Sequence, residues 1–556
     1  MRTFYSKLAL TLLFFSTVTS QTLPWNRIVP SVRISDKNEV EVFWKTVNPT
    51  MKAIVFYGPE DGSYRQPFPE YASRISDKAS GRSHAIALKG IGTNTLYNYR
   101  VSCVDSMNFS EIRSANYTFR VVERDGKLAV GLCLTETPIV ANVEPNSVVI
   151  AWKTNMSCSG KVNFWTKPDL RNNVMRAVGP KEKRTEFETV VSGLSPNTLY
   201  YYQVDGTTPE EKEKTVSATY TFRTAPKTGA NTKFSFAAYG DSRGGTDPDF
   251  DYHINGVNYN MINKLALSAL KKGASFFLQT GDLADGATDN RDDMTLMYET
   301  HKKAIAWVNA FIPFYQGIGN HDASAPYFKF GKRGRHDPPP PNSAEDLFAR
   351  MFVLPENGPT PEPNHPPFLE NVYSFDYANA HFISLNSEYF LVRQDDSIRY
   401  PYNGYGNRVA GRQLEWLKED LKKSKSKLLF VYLHDPFYPA GGHVGSSLDR
   451  YPSERDSLWR LLEGHNLGLV FAGHEHLYAR VAVDKKINPT YKKSIYQIIA
   501  GGAGAPLYPQ DKKVPYLQNV ITYERKFHYV LVTVDGKKWT SEVYDDNENL
   551  IDKFGS

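Results

Sequence analysis

Cysteine is nearly absent: the 556 residues carry three, Cys103, Cys133 and Cys158, all in the first third of the chain. A thiolate zinc site and a thiol nucleophile beside the later motifs are therefore disfavoured. An oxidising compartment permits one disulfide and leaves one thiol over, with the pairing open. Long apolar runs are lacking too, since nothing after residue 20 offers the ~20 apolar residues of a membrane helix. Nor is there charge of one sign. Lys and Arg number 66 against 60 Asp and Glu, a net +6 without a dominant run, so no nucleic-acid partner is indicated. The densest basic cluster, Lys422, Lys423, Lys425 and Lys427, reads as the polar end of a helix.

What is present is a chain long enough for about two to four domains. It is 41% hydrophobic, and its 34 Tyr and 31 Phe suit sheets better than helical bundles. Residues 1–20 have a basic start at Arg2 and Lys7, an apolar centre from Leu8 to Phe15, and small residues at Val18 and Ser20. That layout predicts a secretory signal peptide, a mature chain from Gln21, and a secreted or periplasmic protein. Three Asn-x-Ser/Thr sequons stand at Asn108, Asn116 and Asn155.

The first half repeats itself. Asn94-Thr-Leu-Tyr97 recurs as Asn197-Thr-Leu-Tyr200, and Phe119 as Phe222, each pair 103 positions apart. Upstream, "EVFWKT" with Trp44 and "VIAWKT" with Trp152 alternate with the period of a half-buried strand. Two β-sandwich modules, 21–125 and 126–228, follow from this period. They resemble fibronectin type III-like modules, including the kind that precedes the catalytic domain of purple acid phosphatases. The Tyr residues are expected in corner or core positions, and the modules' contribution as positioning or surface or matrix attachment. After the linker-like "APKTGANT" at 225–232, apolar runs alternate with helical patterns such as Leu414, Leu417 and Leu421. An α/β domain is expected over 229–556, with Arg333 to Pro367 as a surface excursion.

Five apolar runs in this domain stop at a potential metal ligand: "FSFAAYGD" at Asp241, "SFFLQTGD" at Asp282, "FYQGIGNHD" at Asn320, "LLFVYLH" at His434 and "LVFAGHEH" at His474. Functional groups of open α/β sheets gather at strand carboxyl ends, so these could meet. Carboxylate, amide oxygen and imidazole suit hard or borderline cations. His474 and His476, two apart in an extended stretch, would lie roughly 6 to 7 Å apart and serve one metal each. A carboxylate such as Asp282 suits a bridging role between two cations.

The order Gly-Asp, Gly-Asp, Gly-Asn-His-Asp, His, Gly-His-x-His resembles the calcineurin-like metallophosphoesterases, and more narrowly their purple acid phosphatase-like branch. That resemblance implies two mixed sheets flanked by helices, a phosphate-ester small-molecule substrate, and two divalent or mixed-valence metals (Fe, Mn or Zn) whose bound hydroxide attacks phosphorus. It assigns Asp241, Asp282 and His476 to one metal, and Asn320, His434, His474 and the shared Asp282 to the other. His321 becomes the group that protonates the leaving alkoxide or stabilises the transition state, with Asp322 orienting it; His443 could contact the phosphate. Two positions depart from the family pattern. Asp285 stands where purple acid phosphatases have Tyr, and Arg243 where related branches have His. Asp285 could replace the ligand or hydrogen-bond around it; Arg243 could grip phosphate or pair with an acid. Phosphomonoester hydrolysis is the leading expectation, with a phosphodiesterase or nucleotidase, or a binding protein with a degenerate phosphoesterase domain, as alternatives.

Overall fold

The computed structural model describes residues 28–60, 70–107, 109–167, 175–179, 182–209, 212–244, 253–286, 288, 290–323, 343–363, 365–390 and 406–556. The expected signal peptide, the sequon residue Asn108 and the Pro338–Pro341 run lie outside them.

Each N-terminal unit is organised by one long strand. Val40–Pro59 pairs with Gly81–Ala87 along its first part and, after a register shift between Lys45 and Thr50, with Leu96–Asp105 along its second. Ser147–Trp165 does the same, leaving Arg184–Ser192 for Leu199–Thr207 beyond a shift between Lys153 and Cys158. A bulge at such a point bends a strand, letting one segment serve both layers. The repeated aromatics fill the cores. Trp44 stacks on His84 and Trp152 on Phe187, with centroids 5.1 and 4.7 Å apart. Tyr97 and Tyr200 stack on Phe119 and Phe222, and their hydroxyls accept from the N–H groups of Gly92 and Ser195 at 2.8 and 2.9 Å. These tyrosines are core and corner residues, as the repeat predicts.

Two mixed sheets follow. The first runs in the order Phe314–Gln316, Phe277–Gln279, Phe234–Tyr239, His528–Asp535, Lys538–Asp545, Leu550–Gly555. The second runs Tyr373–Tyr377, Ala380–Ser384, Leu428–Leu433, Leu467–Ala472, Ile495–Ala500, Tyr478–Val483, Val520–Glu524. Phe236 joins them: its ring meets Phe382, Phe430 and Phe471 of the second sheet edge-on at 5.1 to 5.9 Å. Helices Tyr259–Lys271 and Arg291–Asn309 pack with the first sheet's half, and Gly411–Lys423 and Pro452–Glu463 with the second's. In Gly411–Lys423, Leu417 and Leu421 are buried and Leu414 half-buried, while Lys422 and Lys423 occupy the last turn, where cations offset the helix dipole.

Two points that the sequence leaves open are decided by the structure. All three cysteines are free and buried, so the structure forms no disulfide among them. The excursion to Pro367 is also not wholly loose: Ser343 caps a helix, Ala344–Met351, by accepting from the Asp346 N–H at 3.0 Å, and Leu347, Phe348 and Met351 are buried.

Candidate metal centre

The five ligand-ending runs are all strands, and their directions explain the convergence. Phe234–Tyr239, Phe277–Gln279 and Phe314–Gln316 are mutually parallel, as are Leu428–Leu433 and Leu467–Ala472, so Asp241, Asp282, Asn320, His434 and His474 follow strand carboxyl ends. The turns beyond them are tight. Asp241, Asp282 and His474 have φ of 58°, 53° and 68°, in the left-handed region. A Cβ on Gly319 would lie 2.3 Å from Asp282 Oδ1, and one on Gly473 2.5 Å from Asp241 Oδ2. The glycines before Asn320 and His474 therefore make room for another ligand's carboxylate. With His474 left-handed, the stretch through His476 is not extended, and the two rings part company for that reason.

The donor atoms form two groups joined by one carboxylate. Ligand atoms of Asp241, Asp282 and His476, all buried, lie within 4.8 Å of one another. In the second group Asn320 Oδ1 is 2.8 Å from His434 Nε2 and 3.0 Å from His474 Nδ1, and those nitrogens are 3.1 Å apart. Asp282 Oδ1 reaches His434 Nε2 at 3.4 Å. Backbone carbonyls choose which ring atom faces inward. Thr280 O at 2.9 Å takes the Nδ1 proton of His434, and Pro506 O at 2.8 Å that of His476, leaving each Nε2 with its lone pair in the site. Behind His474 stands Asp435, its Oδ1 3.7 Å from Nε2, and the Asn407 amide donates both to Asp435 Oδ1, at 3.0 Å, and to the buried Glu388, at 3.5 Å.

The electrostatics of this set fit a bound cation. Burial and then the Asp282 charge push the Asp241 carboxyl well above its ordinary range. Burial also works to raise Asp282, but His434, His321 and Arg243 outweigh it and hold it at about 2. Burial, then the neighbouring histidines, drives His474 well down; burial, then Arg243, does so for His476. Neutral imidazoles and paired buried carboxylates that repel one another are what a metal pair neutralises.

Around this centre the expected roles divide. His321 borders it, its Nε2 3.9 Å from Asp282 Oδ2, and its Nδ1 meets the Asp285 carbonyl at 2.6 Å. Asp322 is not what orients it. That carboxylate turns inward to accept the N–H groups of Leu283, at 3.2 Å, and Gly319, at 3.0 Å, and so ties two ligand loops together. His443 does reach the centre: its ring lies 3.8 Å from that of His474, and burial, then His434, lowers it to about 4. Asp285 binds Arg243, Oδ1 to Nη1 at 3.2 Å, and Arg243 Nε stands 3.6 Å from Asp282 Oδ2. The departures from the family pattern thus answer one another as an ion pair.

Sequence reasoning passed over several supporting residues. Glu475, between the two ligand histidines, accepts from Ala440 N–H at 2.8 Å and His443 N–H at 2.6 Å and so positions the His443 loop. His301, buried on helix Arg291–Asn309, meets the Leu283 carbonyl at 3.1 Å and Ser242 Oγ at 3.3 Å beneath two ligand loops. The "HEH" spacing marked Glu475; nothing local marked His301, Glu388 or Asp435.

Comparison with known proteins bears on the same regions. The family model described as calcineurin-like phosphoesterase matches residues 248–478, and that described as purple acid phosphatase, N-terminal domain, matches 26–121 and again 136–224. Purple acid phosphatase 23 of Arabidopsis thaliana is 31% identical over 112 residues, 20% of this chain and 20% of that one. Probable purple acid phosphatase 20 of the same plant is 23% identical over 376 residues, 63% of this chain and 71% of that one. Among solved structures, purple acid phosphatase PPD1 from yellow lupin (Lupinus luteus) seeds aligns over 95% of both chains with a TM-score of 0.60 at 15% identity, a likeness of fold.

Proposed function

We propose that this chain, which belongs to the calcineurin-like metallophosphoesterases and is built on the purple acid phosphatase plan, hydrolyses phosphate monoesters at a two-metal centre. The observation that carries the reading is the shared position of Asp282, one of whose oxygens belongs to the Asp241–His476 group while Oδ1 reaches the Asn320–His434–His474 group. A bridging carboxylate between two donor groups is the arrangement a metal pair requires. Asp241, Asp282 and His476 would hold one ion, and Asn320, His434, His474 and Asp282 the other; bound there, Fe, Mn or Zn ions supply Lewis acidity and an activated water.

The remaining residues handle the substrate. His321 keeps its Nδ1 proton on the Asp285 carbonyl, so Nε2 faces the reacting group, where an arriving phosphoryl anion favours its protonation and hence proton delivery to the leaving oxygen. Arg243, held by Asp285, and His443, packed on His474, line the approach and bind phosphoryl oxygens. The same reading takes 21–125 and 126–228 as sandwich modules, 229–556 as the phosphoesterase domain, and 1–20 as the signal for export. Among the described residues no helix is long and apolar enough to cross a membrane.

The test is metal analysis of the purified protein together with turnover of p-nitrophenyl phosphate and bis-p-nitrophenyl phosphate. Two metals per chain and faster turnover of the monoester are expected. Preference for the diester would move the reading to a phosphodiesterase, and metal-free protein without turnover after reconstitution with Mn, Zn or Fe would move it to a binding module.

A further inference from the structure

One residue bordering the Asp241–Asp282–His476 group belongs to none of the metal motifs. Tyr508 follows the strand Ile495–Ala500 and stands between Pro506 and Pro509 in the segment. Its N–H donates to the His476 carbonyl at 2.9 Å, and its own carbonyl accepts from the Tyr523 hydroxyl at 2.8 Å. The ring lies against that of His476, centroids 4.1 Å apart and planes 22° from parallel, and its centroid is 5.5 Å from that of His443. Arg243 is close enough for its charge to act on the hydroxyl.

A guanidinium has donors only, so Arg243 cannot take up the phenol's proton. Arg243 is fixed by Asp285 through Nη1, and its buried Nε has no hydrogen-bond partner. A buried unpartnered donor is uncommon unless something else satisfies it. Two donors, the Nε–H of Arg243 and the O–H of Tyr508, thus stand beside the Asp241–Asp282–His476 group; the first has no hydrogen-bond partner among the described residues, Asp282 Oδ2 being 3.6 Å away.

We infer that Tyr508 is a substrate-binding residue, donating a hydrogen bond to a non-bridging oxygen of the phosphoryl group alongside Arg243. A neighbouring cation strengthens the phenol as a donor, and the stack on His476 holds the ring in place. The inference rests on the phosphoesterase reading, but its test does not need turnover. Tyr508→Phe keeps the ring and its stack and removes only the hydroxyl. Inorganic phosphate is titrated calorimetrically into the Mn-loaded wild-type and Tyr508→Phe proteins, with metal content measured in both.

The expected result is equal metal content and phosphate affinity weaker by about tenfold in the variant. Unchanged affinity overturns the inference, and so does loss of a metal, which would make the phenol a ligand. A wild-type protein that binds phosphate yet hydrolyses neither ester removes the enzymatic reading alone, and the titration still decides Tyr508. A wild-type protein that holds metal but no phosphate overturns both.

Discussion

At the scale of single residues, the backbone of the ligand loops is as informative as the side chains. Asp and Asn tolerate left-handed φ comparatively well, but at His474 it costs on the order of 1 kcal/mol, accepted because the ring must turn towards Asn320 while His476 turns towards Asp241. His321 separates its duties similarly. Its backbone N–H donates to Asp282 Oδ1 at 2.9 Å, and its ring is held by the Asp285 carbonyl. His321→Ala keeps the first and deletes the second. It should therefore retain both metals while turnover of p-nitrophenyl phosphate falls about a hundredfold or more, as removal of a general acid does. Metal analysis beside steady-state kinetics decides the point, and a drop in metal content would assign the ring to coordination instead.

At the scale of elements, the five strands and their ligands were legible because each apolar run ends on a donor-bearing residue, a local pattern needing no knowledge of neighbours. The partnerships were not legible, because they join distant segments. Asp285 was readable as a departure, but its pairing with Arg243 depends on how two loops close, and Asp322 faces inward because Leu283 and Gly319 need an acceptor there. The same holds for His381, which sits on the strand Ala380–Ser384 between Asp376 of the adjoining strand and Asp420 of helix Gly411–Lys423, each 2.8 Å from a ring nitrogen. Burial works against its charged form, but the two carboxylates outweigh it and raise the ring to about 9. Because the folded value lies above the unfolded one, the stabilisation is complete below the unfolded pKa of about 6.5 and is lost as pH rises through about 9. Asp376 is 35% exposed, which screens one of the two pairs, so the contribution is about 2 kcal/mol. His381→Gln should melt well below wild type at pH 6, and the gap should close by pH 10. A gap independent of pH would mean the residue acts by packing.

At the scale of the molecule, the two sandwiches are attached to the rest in different ways. The first has a core of its own, centred on Trp44, Val55, Tyr99 and Phe119. Its junction with the second is polar: Arg124 pairs with Glu213, Arg120 donates to the Lys214 carbonyl at 2.7 Å, and Thr118 to the Leu134 carbonyl at 2.6 Å. The second shares one continuous core with the phosphoesterase sheets. Tyr202 donates to the Ala310 carbonyl at 2.8 Å, Asn309 donates to the Val140 carbonyl at 2.9 Å, and Tyr220 meets Trp307 and Phe311 edge-on. An apolar interface of this kind behaves as interior, whereas a polar one can part without exposing a core. A chain of residues 131–556 should therefore remain soluble, keep its metals and melt within a few degrees of the full protein. A chain of residues 229–556 should expose Trp307, Phe311 and Ile312 and aggregate. Size-exclusion chromatography and thermal melts of the two separate these outcomes. A soluble 229–556 fragment with an unchanged melting temperature would show the second sandwich to be an appendage, whereas its collapse makes that module part of the scaffold holding helix Arg291–Asn309, and with it His301, beneath the metal loops.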